Sequence, residues 1–314
     1  ANTDFMGNIA TRVAPLVNLT LALQPVKLAL DGLLAIDYRR TFPAYATRTF
    51  EHWYKEELTA ASQEAFTHHV SYFHGCYVNY NYPQLGKDLV KILNAIGYGV
   101  HLLDDEHCCG VALISNGLID KARRQGTKNI ASIRRSIEEE DRTVLATSST
   151  CAFTLRDEYP HLLGIPNTDV RDRIELASRF LYRLLEEKQI ELVFKPDYQK
   201  RVAYHTPCHM EKLGWAIYST SLLRMIPGVT LRMLPSNCCG IAGTYGFKRE
   251  NYRSSQLIGE PLFRAIKEVA PDVVATDCET CKWQIEMSTK VKVMHPISLL
   301  AEALDEEATR AKNQ

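Results

Sequence analysis

Nine cysteines carry the chemistry that this 314-residue sequence can offer: Cys76, Cys108, Cys109, Cys151, Cys208, Cys238, Cys239, Cys278 and Cys281. Cys108–Cys109 and Cys238–Cys239 are adjacent pairs, each followed by a glycine, and Cys278 and Cys281 are spaced as C-x-x-C. Neighbouring residues reach disulfide geometry only under strain, so the adjacent pairs need a partner other than each other. The positions also repeat. Cys109 to Cys239 and Cys151 to Cys281 are each 130 residues apart, and Cys76 to Cys208 is 132. Three landmarks that keep one offset within two residues mark an internal repeat of a whole unit.

The elements that must position these thiols alternate between strand and helix patterns. In the first copy, residues 69–73, 99–103 and 143–147 read as short buried strands that run into Cys76, Cys108–Cys109 and Cys151. A helix with Leu89, Ile92, Leu93 and Ile96 on one face lies between the first two. The second copy repeats the order with strands at 201–204, 229–233 and 271–276, running into Cys208, Cys238–Cys239 and Cys278. Residues 10–36, ahead of the repeat, are apolar with few charges. They read as one or two packed helices, with an interfacial element touching a membrane or partner as the alternative. The pattern predicts an α/β chain: two small parallel-sheet domains in tandem, 69–197 and 198–314, after a short helical N-terminal region, 1–68. The length suits about two domains, each with its own core.

Loops at the carboxyl ends of parallel strands converge into a crevice, so the cysteines of each copy are expected to meet. Five thiolates in the second copy exceed what a tetrahedral zinc uses and suit a polynuclear iron–sulfur cluster. Gly240, Gly243 and Gly246 would let the backbone approach a bulky core, and a helix starting near Cys281 would direct N–H groups at its negative charge. In the first copy Ser148 stands where Cys278 is expected. That leaves four thiols for zinc, a four-ligand cluster or nothing. His74, His107, His205 and His209 flank the two sets and read as packing, capping or hydrogen-bonding groups rather than ligands. Cysteines merely filling a core would explain neither the register nor the strand-end placement. The glycine spacing after Cys239 matches neither common nucleotide loop.

Composition narrows the partners. Lys plus Arg equals Asp plus Glu at 37 each, which leaves no electrostatic case for nucleic acid. The uncharged run 13–26 is about half a membrane span and is broken by Pro15 and Pro25, so no spanning helix is expected. With no secretory signal apparent, nine cysteines point to a reducing compartment and to metal or redox work.

The pattern C-x29-C-C-G-x37-C-x-x-C from Cys208 to Cys281 is similar to the cysteine-rich CCG domain. That domain occurs twice in the B subunit of heterodisulfide reductases and in iron–sulfur subunits for lactate utilisation and glycolate oxidation. The stretches 73–95, 146–160, 204–215, 238–252 and 276–289 resemble the C-subunit family of anaerobic glycerol-3-phosphate dehydrogenases, and the likeness covers essentially the whole chain. The resemblance implies a non-cubane [4Fe–4S] cluster at Cys208, Cys238, Cys239, Cys278 and Cys281, beside Gly240 and Gly243. It leaves zinc or a second iron–sulfur cluster at Cys76, Cys108, Cys109 and Cys151. It also implies a role: electrons pass from flavoprotein subunits, which oxidise glycerol 3-phosphate, toward menaquinone or a similar quinone. The family's place is peripheral, at the cytoplasmic side of the inner membrane, where this subunit helps anchor the complex. Family members begin with a ferredoxin-like segment of two C-x-x-C-x-x-C-x-x-x-C-P runs. None stands in this sequence. Residues 1–314 therefore resemble the C-terminal part of such a subunit, expected to be soluble and inert alone toward glycerol 3-phosphate. Two other readings remain: disulfide reduction at the cluster, and a structural zinc protein.

Overall fold

Short apolar runs bounded by loops become buried parallel strands in both repeats. The structure, a computed structural model, describes residues 3–314. In the first repeat β1 (His68–Phe73), β2 (Tyr98–Leu102), β3 (Thr143–Ala146) and β4 (Ile174–Leu176) lie in the order β2-β1-β3-β4. In the second, β5 (Lys200–Tyr204), β6 (Val229–Met233), β7 (Val273–Ala275) and β8 (Val293–Met294) lie in the same order, β6-β5-β7-β8. Tyr72 pairs with Leu102 and Leu145, and Tyr204 with Met233 and Ala275, so the registers correspond. The fourth strands are not visible in the sequence pattern. They are three and two residues long and run straight into apolar helices, so hydrophobicity alone assigns them to those helices.

The helices correspond as well. After the N-terminal helices α1 (Thr3–Arg12), α2 (Ala14–Ala22) and α3 (Gln24–Leu34), the first repeat adds α4 (Gly75–Tyr80), α5 (Pro83–Ala95), α6 (Ile119–Glu138), α7 (Ser149–Phe153) and α8 (Ala177–Glu186). Their counterparts are α9 (Cys208–Leu213), α10 (Ala216–Met225), α11 (Tyr252–Val269), α12 (Glu279–Thr289) and α13 (Pro296–Ala303). Helix α5 packs on α13, and α8 packs on α10. Each contact joins a helix between one repeat's first two strands to the helix after the other repeat's last strand, an approximate two-fold arrangement. Each repeat keeps an apolar cluster of its own, around Ile133 and Val144 in the first and Leu262 and Val274 in the second, and a further cluster joins the two. It runs from Tyr72 and Leu89 through Leu181 and Leu222 to Val273 and Leu300. The amphipathic helices each have one apolar face, and these four faces bury one another.

Residues 10–36, expected to form one or two helices, hold α2 and α3 whole and the end of α1, and Pro15 and Pro25 each stand in the first turn of a helix. Proline in a first helical turn gives up an N–H that has no helical partner there. This region straps the two repeats together. Gly7 of α1 lies against the Tyr80 ring of α4, and beyond α3 the Asp37 N–H donates to Phe247 O at 2.9 Å. Arg249 closes the strap on Asp31 at 2.8 Å. Helices α1–α3 leave Phe5, Leu16, Leu19, Leu28 and Leu33 exposed, Leu33 by 83%. Among the described residues no helix is long and apolar enough to cross a membrane.

The shared core predicts coupled unfolding. Leu89→Ala, at a fully buried position, should cost about 2–5 kcal/mol. Calorimetry should show both repeats melting together at the lower temperature; two separated transitions would refute a common core. At the same helix interface, burial raises the carboxyl of Asp88, which accepts a hydrogen bond from Gln84 at 2.8 Å. A raised carboxyl disfavours its charged form on folding, so its cost is absent below the unfolded value and grows as pH rises through the folded one. Asp88→Asn should therefore raise the melting temperature relative to the parent at pH 7, and the gain should vanish near pH 4.

Candidate metal centre

Each cysteine lies where a strand end turns into a helix or loop. Cys76 is in the first turn of α4, and Cys208 opens α9. Cys108–Cys109 and Cys238–Cys239 lie in the loops after β2 and β6. Cys151 and Cys281 are the third residues of α7 and α12, and Cys278 is the N-cap of α12. Among the described residues Cys239 and Cys281 come together, whereas no three of the first repeat's sulfurs lie within 4.8 Å of one another. In the second repeat Cys239 Sγ and Cys281 Sγ are 3.3 Å apart, Cys238 Sγ accepts from Gly240 N at 3.3 Å, and the charges of Cys278 and Cys239 act on Cys208. In the first repeat the thiols of Cys76 and Cys109 act on the titration of Cys108, and that of Cys151 on Cys109.

The two sets differ in access. Cys108 and Cys109 are buried, with Cys76 and Cys151 partly so; Cys208 and Cys238 are exposed at the second set while Cys239, Cys278 and Cys281 are buried. Helix α1 accounts for part of the cover. Asp4 Oδ2 accepts from Cys108 N at 3.2 Å. Gln125 of α6 donates to Cys108 O at 2.7 Å, and Tyr159 donates to Cys109 O at 2.9 Å.

Electrostatics favour thiolate at Cys108, Cys239 and Cys278 and push the other six cysteines toward the neutral thiol. Hydrogen bonds from Cys238 and Cys281 hold Cys239 well below the ordinary thiol range despite its burial, and Cys109 and Cys76 do the same for Cys108. A hydrogen bond from Cys281 brings Cys278 down to about 6. Arg40, 1% exposed, donates to Gln284 of α12 and to Ser255 of α11 at 2.9 Å. Burial lowers its affinity for a proton, offset in part by Tyr252 and Asp37 and to a smaller degree by Cys239. Five sulfurs, a buried guanidinium and a helix N-terminus are a donor set that fits a soft, negatively charged cluster.

Ser148 has a definite task. Its Oγ accepts from Cys151 N at 3.2 Å, capping α7, and donates to Glu279 Oε2 at 3.0 Å across the repeat boundary. Burial, helped by the Cys278 thiolate, pushes Glu279 up to about 8. The histidines mostly have partners. His74 lies between Glu106 at 3.2 Å and Glu51 at 3.5 Å; His107 is 3.0 Å from Asp105; His209 stacks on Phe153 and meets Thr150 at 3.1 Å. A separate group of His69, His101 and Glu64 is a hydrogen-bonded chain closed by Arg142 at 3.2 Å from Glu64.

The glycines need a correction. Gly240 and Gly243, expected to clear space for a bulky core, have other surroundings. Gly240 has φ +85°, and a Cβ there would lie 2.0 Å from Ser255 O, so glycine lets the loop seat on α11. It meets the thiols through its N–H. At Gly243, φ is +60° and the nearest atom to a Cβ is Ser115 Oγ at 3.9 Å, away from the sulfurs. Sequence reasoning also missed Arg40, Glu106 and Glu279. The doublet Arg39–Arg40 after an apolar stretch is the one signal that could have marked the first of them.

Comparison with known proteins agrees with this geometry. The family model for the cysteine-rich domain CCG matches residues 70–156 and 202–286, which defines a chain with two such domains. Over 304 residues it is 57% identical to the C subunit of the anaerobic glycerol-3-phosphate dehydrogenase of Escherichia coli K12, covering 97% of this chain and 76% of the relative. The chain belongs to that C-subunit family. More distant likeness extends to the B subunit of the CoM/CoB fumarate reductase of Methanothermobacter marburgensis, 28% identical over 76% of this chain and 47% of the relative. It extends also to the D subunit of the dihydromethanophenazine:CoB–CoM heterodisulfide reductase of Methanosarcina barkeri, 26% identical over 75% and 59%.

Ser148→Ala removes a cap and a hydrogen bond to an enclosed carboxyl, and should cost about 1–2 kcal/mol. Urea denaturation should register that loss, while metal content per chain stays at the parent's value. A drop in metal would instead make Ser148 a ligand.

Proposed function

We propose that the chain is an iron–sulfur electron-transfer subunit of an anaerobic glycerol-3-phosphate dehydrogenase. In this reading it passes electrons from the flavoprotein subunits toward menaquinone or a similar quinone. The observation that carries it is that Cys239 and Cys281, from separate strand ends of the second repeat, bring their sulfurs to 3.3 Å, while Cys208 and Cys238 of the same repeat stay exposed. Cys208, Cys238, Cys239, Cys278 and Cys281 would hold a non-cubane [4Fe–4S] cluster, and Cys76, Cys108, Cys109 and Cys151 zinc or a second cluster. Such a cluster supplies one-electron redox chemistry. The protein's own residues favour thiolate at Cys239, Cys278 and Cys108 and donate Gly240 N–H to Cys238, and the buried Arg40 guanidinium is held by Ser255 and Gln284.

The openness of Cys208 and Cys238 suits exchange with a docked partner, and the covered first set suits an internal centre. The exposed leucines of α1–α3 supply a face for peripheral contact with the cytoplasmic side of the membrane. Disulfide reduction gains no support from the open groove of about 540 Å³ beside α11. Arg39, Arg253, Arg264 and Lys267 line it and no cysteine does.

Metal analysis with electron paramagnetic resonance on anaerobically purified protein tests the proposal. Iron and acid-labile sulfide in roughly equal amounts are expected, with the cluster signal lost in Cys239→Ser. Zinc alone, with neither iron nor sulfide, would sink the electron-transfer reading. A full signal in Cys238→Ser would remove that residue from the ligand set.

A further inference from the structure

His205 stands apart from the other histidines. It follows β5 directly, its backbone N–H donating to Ala275 O at 2.9 Å, and it is 2% exposed. Neither ring nitrogen has a hydrogen-bond partner at ordinary distance, and the group the ring acts on is the Cys239 sulfur, whose thiolate form it favours. Its peers among the buried histidines are all engaged: His74 with Glu106, His101 with His69, and His295 with Thr147 O at 2.9 Å. A buried polar atom is normally satisfied, so an imidazole with two orphaned nitrogens marks a place that something else completes. A ring nitrogen of His205 and the sulfurs of Cys239 and Cys281 all lie within 4.8 Å of one another.

We propose that His205 is a sixth protein ligand of the second-repeat metal centre, bound through a ring nitrogen beside Cys239 and Cys281. The inference rests on the metal-centre reading above and adds a nitrogen to its sulfur set. The separations suit it. Metal–nitrogen bonds of about 2.0–2.1 Å and metal–sulfur bonds of about 2.3 Å bridge nitrogen–sulfur gaps of up to ~4.4 Å, so small shifts close the three donors on one ion. Imidazole is an accepted ligand for iron and zinc alike, and it replaces cysteine on one iron of some clusters.

The first repeat supplies an internal control. The matching registers of Tyr72 and Tyr204 make Phe73 the counterpart of His205. Phe73 is likewise buried, but in an apolar cluster with Cys109. The repeat that has Ser148 in place of a fifth cysteine thus also has hydrocarbon in place of the imidazole.

Pulsed electron paramagnetic resonance on the anaerobically purified full chain, grown with natural or ¹⁵N-labelled histidine, tests this. A directly bound nitrogen gives a strong ¹⁴N coupling that converts to ¹⁵N on labelling. His205→Phe, the first repeat's own side chain, should lose it while five thiolates retain the iron. His209→Asn should keep it. Only weak nitrogen couplings in the parent, or a strong one that survives His205→Phe, overturns the proposal. If His205→Phe fails to fold, the labelled parent still decides whether a histidine is bound. The variants His209→Asn and His295→Asn then decide which one: loss in either overturns the assignment, and persistence in both supports it. A parent chain with no iron or labile sulfide defeats the cluster reading and this one together; a full cluster without bound histidine defeats this one alone.

Discussion

Where β3 and β7 end, the two repeats are tied by hydrogen bonds that everything near the thiols depends on. Ser149 donates to Asp277 O through both its N–H, at 3.0 Å, and its Oγ, at 2.8 Å. His295 donates back to Thr147 O at 2.9 Å. Asp277 is itself held by Tyr204 at 2.7 Å and Ser219 at 2.8 Å. Strand-end backbone that is buried must find partners, and here each repeat supplies them to the other. The result is that the starts of α7 and α12 meet, and Thr150 Oγ1 comes within 3.7 Å of Cys278 Sγ. Two thiol sets that belong to separate sheets thereby become neighbours.

That closeness brings polar groups into a crowded boundary, and the surroundings show how it is tolerated. Asp277, Glu279 and Glu106 are all pushed toward their neutral forms by burial, and each still has hydrogen-bond donors. Arg40 reaches the second set from the N-terminal strap and is engaged by Gln284 and Ser255. Buried ionisable groups persist when they are partnered in this way. The same strap explains the asymmetry of the sites, since α1 reaches the Cys108 backbone while Cys208 and Cys238 stay exposed.

Much of the architecture was legible because the signals are local. Alternating apolar runs marked six strands, and the spacing of Leu89, Ile92 and Leu93 marked α5. The missed strands β4 and β8 are too short to show a period. The apolar cluster that joins the repeats was invisible for a different reason: an apolar helix face says that it must be covered, not by what. The glycines after Cys239 were misread because a lost Cβ makes room on one side only, and the fold turned that side toward Ser255.

The sequence by itself determined the donor types, their number in each repeat and their common register. Those follow from residue identity and from a tandem repeat that strand-end geometry makes meaningful. Only the tertiary structure decided which donors face one another. It placed Ser148 on Glu279, Arg40 on Gln284, and His205 beside two sulfurs. Ser148 and Glu279 are 131 residues apart in the chain, and Arg40 and Gln284 are 244. Periodicity reports the next turn or the next strand residue. Contacts across such separations depend on how whole helices and sheets pack, which no local pattern encodes.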